Sequence, residues 1–445
     1  MIHDTIIAQA TPQGVSGVAV LRLSGKNAYQ CALLFIDRED LKPRYAHYVT
    51  LRHPHTKDVL DYALMLYFPA PHSFTGEDVV EIHCHGSRMV IRSVIDAALS
   101  YEGVRYAQAG EFTRRACEHG KLDLLQAEAL ADLIAADTPK QQKLACRHLS
   151  GAASQHYIEL ERAIIEARAF CEVFIDFPDD DLPEDLDDQI NEKINSCIAM
   201  IHSMLQYARA GKHIRDGIRV AIMGVPNAGK STLINRIAGR HVAIASPVAG
   251  TTRDAIECSV VLNGVVFQFF DTAGLRTSTD DIEVQGINIA KNIAAQADVV
   301  LIILDRTQSL GAQIESVGGI VSRETIWAAN KIDAPPHPTW NVSENVSRET
   351  ILISSQTGEG VTHLVNRLIE FTTEVPMEDI YITRDRHIEH LNEALQSLLD
   401  AHGESQLVLK AEHTLHACNY VGFILGRIDI ERVLDALFSS FCIGK

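Results

Sequence analysis

Apolar and polar positions alternate along Gly17-Val18-Ala19-Val20-Leu21-Arg22-Leu23, stop at Ser24-Gly25, and alternate again in Val79-Val80-Glu81-Ile82-His83-Cys84-His85. A period of two sends successive side chains to opposite faces of a strand, so Val80, Ile82 and Cys84 share one face and Glu81, His83 and His85 the other. With Gly and Pro punctuating these stretches, residues 1–117 are expected to form a small α+β domain. Two His at i and i+2 also have a metal-ligand spacing, but no third ligand stands nearby. A polar sheet face or pocket wall is therefore the expectation.

From Gly120 the period lengthens. Leu122, Leu125, Ala129 and Leu133 recur at spacings of three and four, which predicts one helical stripe, and the periodicity continues through Ala169 and again from Ile190 to Ala210. The segment Gly211 to Gly217 is polar with glycine at both ends and reads as a hinge and domain boundary. Beyond it, strand candidates Arg219–Met223, Val260–Leu262, Val265–Phe270, Val299–Leu304, Thr325–Ala329 and Ile351–Ile353 alternate with helical stretches, the order of a doubly wound α/β sheet. The chain returns to helix after about residue 375, with Leu391, Ala394, Leu395 and Leu398 on one stripe. Helices on both sides of the α/β segment lack a partner of their own and are expected to pack together, with that segment inserted between them.

The first strand of the α/β segment runs into Gly224-Val225-Pro226-Asn227-Ala228-Gly229-Lys230-Ser231-Thr232, a phosphate-binding P-loop. Gly224 and Gly229 let backbone N–H groups turn inward at phosphate oxygens, and the following helix adds its positive end. Lys230 supplies charge to the β and γ phosphates and the Ser231 hydroxyl is placed for Mg²⁺. Asp271, Thr272, Ala273 and Gly274 follow a strand, so Asp271 reaches Mg²⁺ through water and Gly274 offers its N–H to the γ-phosphate. Asn330, Lys331 and Asp333 follow another strand. The Asp333 carboxylate accepts from the ring N–H and amine of guanine, a donor pair that adenine lacks, so the nucleotide is GTP. Gly250, Thr251 and Thr252, with Arg253, form a polar loop in which Thr252 completes the Mg²⁺ shell only when γ-phosphate is present, the behaviour of a switch.

A chain of 445 residues is long enough for two or three domains. Nine Cys without a C-x-x-C pair, no signal-like segment and no apolar run near the length of a membrane span argue for a reduced, cytoplasmic protein that does not enter a membrane. The net charge of −18 argues against nucleic-acid binding, yet Asp176–Asp188 holds eight acids and no base, so the excess is patterned and a local basic surface remains open.

Beyond the P-loop form, the chain carries Asp4-Thr5-Ile6, Phe74-Thr75-Gly76-Glu77-Asp78, Gly110-Glu111-Phe112-Thr113-Arg114-Arg115-Ala116, Gly120-Lys121-Leu122-Asp123-Leu124-Leu125-Gln126-Ala127-Glu128, Ile175-Asp176-Phe177-Pro178 and the terminal Cys442-Ile443-Gly444-Lys445. Through these stretches it resembles the bacterial tRNA modification GTPase MnmE (TrmE) family over essentially its whole length. The resemblance implies a multidomain protein: an α+β N-terminal folate-binding domain that also dimerises (1–117), a helical domain from two chain segments (118–211 and 375–445), and an inserted α/β Ras-like P-loop GTPase domain (216–372). It further implies a homodimer acting on the wobble uridine of certain tRNAs with an FAD-dependent MnmG (GidA)-like partner. The group added at C5 would be carboxymethylaminomethyl or aminomethyl, with 5-formyl- or methylene-tetrahydrofolate as the one-carbon ligand.

Carried over by position, the folate site would use Arg22, Glu81, Lys121 and Lys445. A K⁺ ion would be held by Asn227 with Ser246, Val248 and Thr251, in a loop that includes Pro247 and Ala249, and Glu283 would orient the attacking water. Ras-type proteins place a Gln after the DxxG motif, whereas Leu275 stands here, so the water is held from elsewhere. Arg253 and Arg276 are read as structural rather than as arginine fingers. Ser354-Ser355-Gln356 stands where the family has Ser-Ala-Lys. Cys442 is either a small buried hydrophobe or, if Lys445 brings the tail to folate, a nucleophile with a cationic neighbour. The GTPase motifs by themselves fit equally a regulatory or ribosome-assembly GTPase, and the N-terminal and terminal stretches favour the modifying enzyme.

Overall fold

The computed structural model describes residues 4–176, 186–241, 243–244, 256–271, 293–317, 324–341, 350–372, 375–427 and 444. The chain forms two compact units, one from residues 1–131, 148–198 and 392–445, the other from residues 132–147 and 199–391. Among the described residues no helix is long and apolar enough to cross a membrane.

The first unit is built on a six-stranded mixed sheet: β1 (Thr5–Gln9), β2 (Ser16–Ser24), β3 (His47–Arg52), β4 (Val59–Phe68), β5 (Val79–Gly86) and β6 (Val104–Tyr106), in the order β3-β4-β5-β2-β1-β6. The alternation in β5 is realised as expected: Val80, Ile82 and Cys84 are buried in the core with Leu21, Leu23 and Met65, while Glu81, His83 and His85 lie on the other face. Arg22 on β2 stands directly opposite Glu81 on β5, so both point to that polar face. Farther along, helix Leu407–Leu425 packs along helix Ala152–Asp176, so helices from the two sides of the α/β segment do pack together, through elements other than the stripes read from the sequence.

Two readings of the helical region are corrected. The expected stripe begins too early, because the helix spans Leu124–Ile134 and buries Leu124, Leu125, Ala127, Glu128 and Ala129, with Leu122 ahead of it and Leu133 half exposed. Its start is fixed by a reciprocal cap: the Gln126 N–H donates to Asp123 Oδ1 at 2.7 Å and the Asp123 N–H to Gln126 Oε1 at 3.0 Å. The Gly211–Gly217 segment is no hinge, since helix Ala208–Asp216 runs through it and ends at Gly217 (φ 84°). Gly211 is there for space; a Cβ would lie 2.0 Å from the Ile382 carbonyl oxygen.

The second unit carries a seven-stranded sheet of β7 (Ile218–Met223), β8 (Ala243–Ile244), β9 (Ile256–Leu262), β10 (Val265–Asp271), β11 (Val299–Asp305), β12 (Thr325–Asn330) and β13 (Ile351–Leu352). The order is β13-β12-β11-β7-β10-β9-β8, parallel except at the β8–β9 and β9–β10 pairs. All seven β11 residues are buried, as a strand covered on both faces must be. The ends of β7, β11 and β12 converge at one edge, where an open α/β sheet places its ligand.

Candidate functional site

At that edge, Gly224 leaves β7 with φ 146°, and a Cβ there would stand 2.2 Å from the Ile303 carbonyl oxygen. Asn227 also takes a positive φ of 60°. Gly229 (φ 96°) caps helix Lys230–Arg240, and a Cβ on it would meet Asn330 Nδ2 at 2.2 Å. The glycines thus let the loop lie close against β11 and Asn330 and bring its backbone to the positive end of a helix, where an anion is favoured. Lys230 is 5% exposed, and its Nζ donates to the Gly224 and Val225 carbonyls at 2.9 and 3.0 Å, so the ammonium lies over the loop it is expected to share with phosphate.

The base side is tied to the phosphate side through Asn330. Its Nδ2 donates to the Ala228 carbonyl at 2.6 Å, and its Oδ1 accepts from the Ser355 N–H at 2.8 Å. Lys331 (φ 67°) reaches back to Asp305 Oδ2 at 2.6 Å. Burial raises the Asp305 carboxyl, but the bonds from Lys331 and Thr307 outweigh it and hold it below its ordinary value. Asp333 lies exposed beyond this pair. Asp271 ends β10 in register with Ile222 of β7, which puts its backbone beside the P-loop. Asp305 and Arg236 are members of this site that motif reading missed; a strand-end acid was the available signal for the first, and none existed for the second.

Asn227, Ala228, Gly229, Lys230, Ser231, Thr232, Asn330, Lys331 and Asp333 are therefore gathered at one sheet edge. Ser246, Pro247, Val248, Ala249, Gly250, Thr251, Thr252, Arg253, Thr272, Ala273, Gly274, Arg276 and Glu283 lie outside the described residues, as do residues 177–185 of the acidic stretch and the side chain of Asp271.

In the other unit, Arg22 meets Glu81 with Nε 3.0 Å and a terminal nitrogen 2.9 Å from Oε1, and His83 Nε2 lies 3.2 Å from Oε2. The Phe74 and Phe112 ring centroids stand 5.4 and 5.7 Å from the Arg22 guanidinium carbon. His85 turns away to Asp61, with 2.7 Å between Nδ1 and Oδ1. The two histidines are thus held by different carboxylates. Lys121 follows a turn at Gly120 and passes Gly76, in the same loop that carries Phe74; a Cβ on Gly76 would lie 3.6 Å from its Cε. The buried Arg115 binds Glu77 at 2.9 and 3.1 Å, Glu111 at 3.0 Å and the Asp4 carbonyl at 2.8 Å. Gly444 is buried against the end of β1, where a Cβ would sit 2.0 Å from the Gln9 carbonyl oxygen. Cys442 and Lys445, on either side of it, lie outside the described residues.

Comparison with known proteins accounts for both regions. Residues 5–121 match the model of the GTP-binding protein TrmE N-terminus and residues 124–442 that of the MnmE helical domain. The chain is 38% identical to the tRNA modification GTPase MnmE of Rickettsia bellii (strain OSU 85-389) over 99% of its own length and 100% of that protein's. It is 40% identical to the MnmE of Parvibaculum lavamentivorans, again over 99% and 100%. Among solved structures, Era in complex with MgGDPNP and nucleotides of 16S ribosomal RNA is 30% identical over 36% of this chain and 57% of that one, with a TM-score of 0.29. The full-length match and the two family models together establish that the chain belongs to the tRNA modification GTPase MnmE family.

Proposed function

We propose that the chain hydrolyses GTP as the switching component of a cytoplasmic tRNA-modifying assembly that alters C5 of wobble uridine. The observation that carries the nucleotide half is the Asn330 bridge, which makes the phosphate loop and the base loop one rigid receptor. Cations bound in this cradle supply neutralisation of the charge that spreads over the phosphoryl oxygens in a loose transition state. Ser231 and Thr252 would hold the divalent ion, and Asn227 with Ser246, Val248 and Thr251 the monovalent one. The donor set fits, being hydroxyl, amide and carbonyl oxygens throughout. Lys230 exchanges its two loop carbonyls for the β and γ phosphates, Asp333 accepts from the guanine edge, and Glu283 orients the water. GTP hydrolysis should accordingly run faster in K⁺ than in Na⁺ at equal ionic strength, and equal rates in the two salts would refute the monovalent site.

The Arg22–Glu81 pair, with Lys121 and the terminal Lys445, suits a reduced folate. Glu81 offers a carboxylate to the aminopyrimidine edge of a pterin, and the lysines offer charge to its glutamate. That ligand supplies the carbon added to the base. A homodimer formed through the N-terminal unit, a tRNA and an FAD-dependent MnmG-like partner complete the assembly. Mass spectrometry of wobble uridine from cells with and without this chain tests the whole reading: loss of the C5 substituent supports it, and an unchanged nucleoside profile refutes it.

A further inference from the structure

Arg236 lies on the P-loop helix, six residues after Lys230, and reaches a loop about 120 residues away in sequence. Its Nε donates to the Ser355 carbonyl at 2.6 Å and its terminal NH2 to the Gln356 carbonyl. The loop is otherwise closed on itself, with Thr357 N–H on Ser354 Oγ at 3.0 Å and Gly358 N–H on the Ser354 carbonyl at 2.8 Å. The Ser355 N–H is taken by Asn330. Among the described residues the Gln356 N–H has no protein acceptor.

The Ser355 carbonyl and the Gln356 N–H belong to one planar trans peptide, so they point in opposite directions. A guanidinium fixed on the carbonyl fixes where the N–H aims, and a charge-assisted bond to that oxygen polarises the amide into a stronger donor. We infer that Arg236 is a positioning residue for guanine specificity: it orients the Ser355–Gln356 peptide so that the Gln356 N–H meets the O6 acceptor of the base. The second bond, to the Gln356 carbonyl, prevents rotation of the next peptide. This device sits where the sequence departs from the family's Ser-Ala-Lys. It rests on the base lying between Asp333 and this loop.

The test uses the full chain and three triphosphates. ITP lacks the exocyclic amine that Asp333 accepts from, and 6-thio-GTP keeps both donors for Asp333 but replaces O6 by a poorer acceptor. Wild-type chain should show the lowest KM for GTP against both. In Arg236→Met the KM advantage of GTP over 6-thio-GTP should shrink by about five- to tenfold, the loss of one good hydrogen bond, with kcat and the advantage over ITP preserved. Arg236→Lys, which retains one of the two donors, should fall between. Equal rises of all three KM values, or an unchanged 6-thio-GTP ratio, would overturn the assignment. Failure of the wild type to prefer GTP over ITP would instead refute the Asp333 reading and leave the 6-thio-GTP ratio to decide on Arg236.

Discussion

Replacing Arg115 by Met should open the N-terminal sheet without touching the nucleotide site. The Arg115 side chain is 5% exposed and Glu77 is 10% exposed, and the pair is joined by two bonds. After the substitution Glu111 keeps Arg105 at 2.6 and 2.9 Å, but among the described residues the Glu77 carboxylate retains only the Ser24 hydroxyl at 2.7 Å. A buried carboxylate that loses its cation costs about 3–5 kcal/mol. At about 1.4 kcal/mol per factor of ten, the open population of this sheet should rise by roughly two to three and a half orders of magnitude. Both Trp residues lie at 327 and 340, in the other unit, so fluorescence is blind to the change. Hydrogen exchange of peptides covering residues 4–24 reads it directly. The companion variant Arg115→Met with Glu77→Gln removes the stranded charge and should recover at least half of the loss. An opening free energy changed by less than about 1 kcal/mol, or no recovery in the double variant, would refute the argument.

Acid should act on the same network. Burial raises the Glu111 carboxyl, but the bonds from Arg105, the Gln108 N–H and Arg115 outweigh it, so its folded value lies below its ordinary one. Such a group contributes stability that is complete above the ordinary glutamate range, about 4.3, and is lost as pH falls through the folded value; exchange of residues 104–115 should therefore quicken only below that range, and acceleration already near neutrality would contradict it. Asp333→Asn should raise the KM for GTP and admit xanthosine triphosphate, because an amide donor then faces the base, and unchanged GTP affinity would place the guanine reader elsewhere. Gly444→Ala should release the tail from β1, since φ 106° and a contact of 2.0 Å leave no room for a methyl group, so tRNA modification should fall steeply while GTP hydrolysis persists; unimpaired modification would show the docking to be incidental. Cys442→Ser should abolish modification with GTP hydrolysis and folding nearly intact, and full activity would leave that thiol only a packing role.

Features with a strict local period were legible, and features set by distant neighbours were not. In β5 the two faces differ so sharply in polarity that one facing alone buries Val80, Ile82 and Cys84 and leaves Glu81 on the polar side, whereas the placement of Arg22 opposite Glu81 came only with the strand pairing. The strand–loop–helix form around Gly224–Lys230 and the strand that ends at Asn330 were equally legible, because each follows a local pattern of apolar run and turn residues. Gly211 misled for a physical reason. A glycine in a polar stretch reads as a break, yet here it sits inside a helix so that the Ile382 backbone can approach, a requirement written only in the fold. Arg236 was invisible because an arginine on a helix carries no sign of which carbonyls, about 120 positions onward, it will grip.

The pairing of helix Ala152–Asp176 with helix Leu407–Leu425 sets an order of events on the ribosome. In the finished unit the first helix has Tyr157, Leu160 and Ile164 buried, and the second helix is a major neighbour. Roughly 230 residues separate the two, which at about 5–20 residues per second means a wait of about 10–50 s before this pair can form. Within that interval the intervening P-loop unit has its whole sheet available and can close first. The two compact units thus become complete at different times, and GTP bound to the earlier one would stabilise only that finished part.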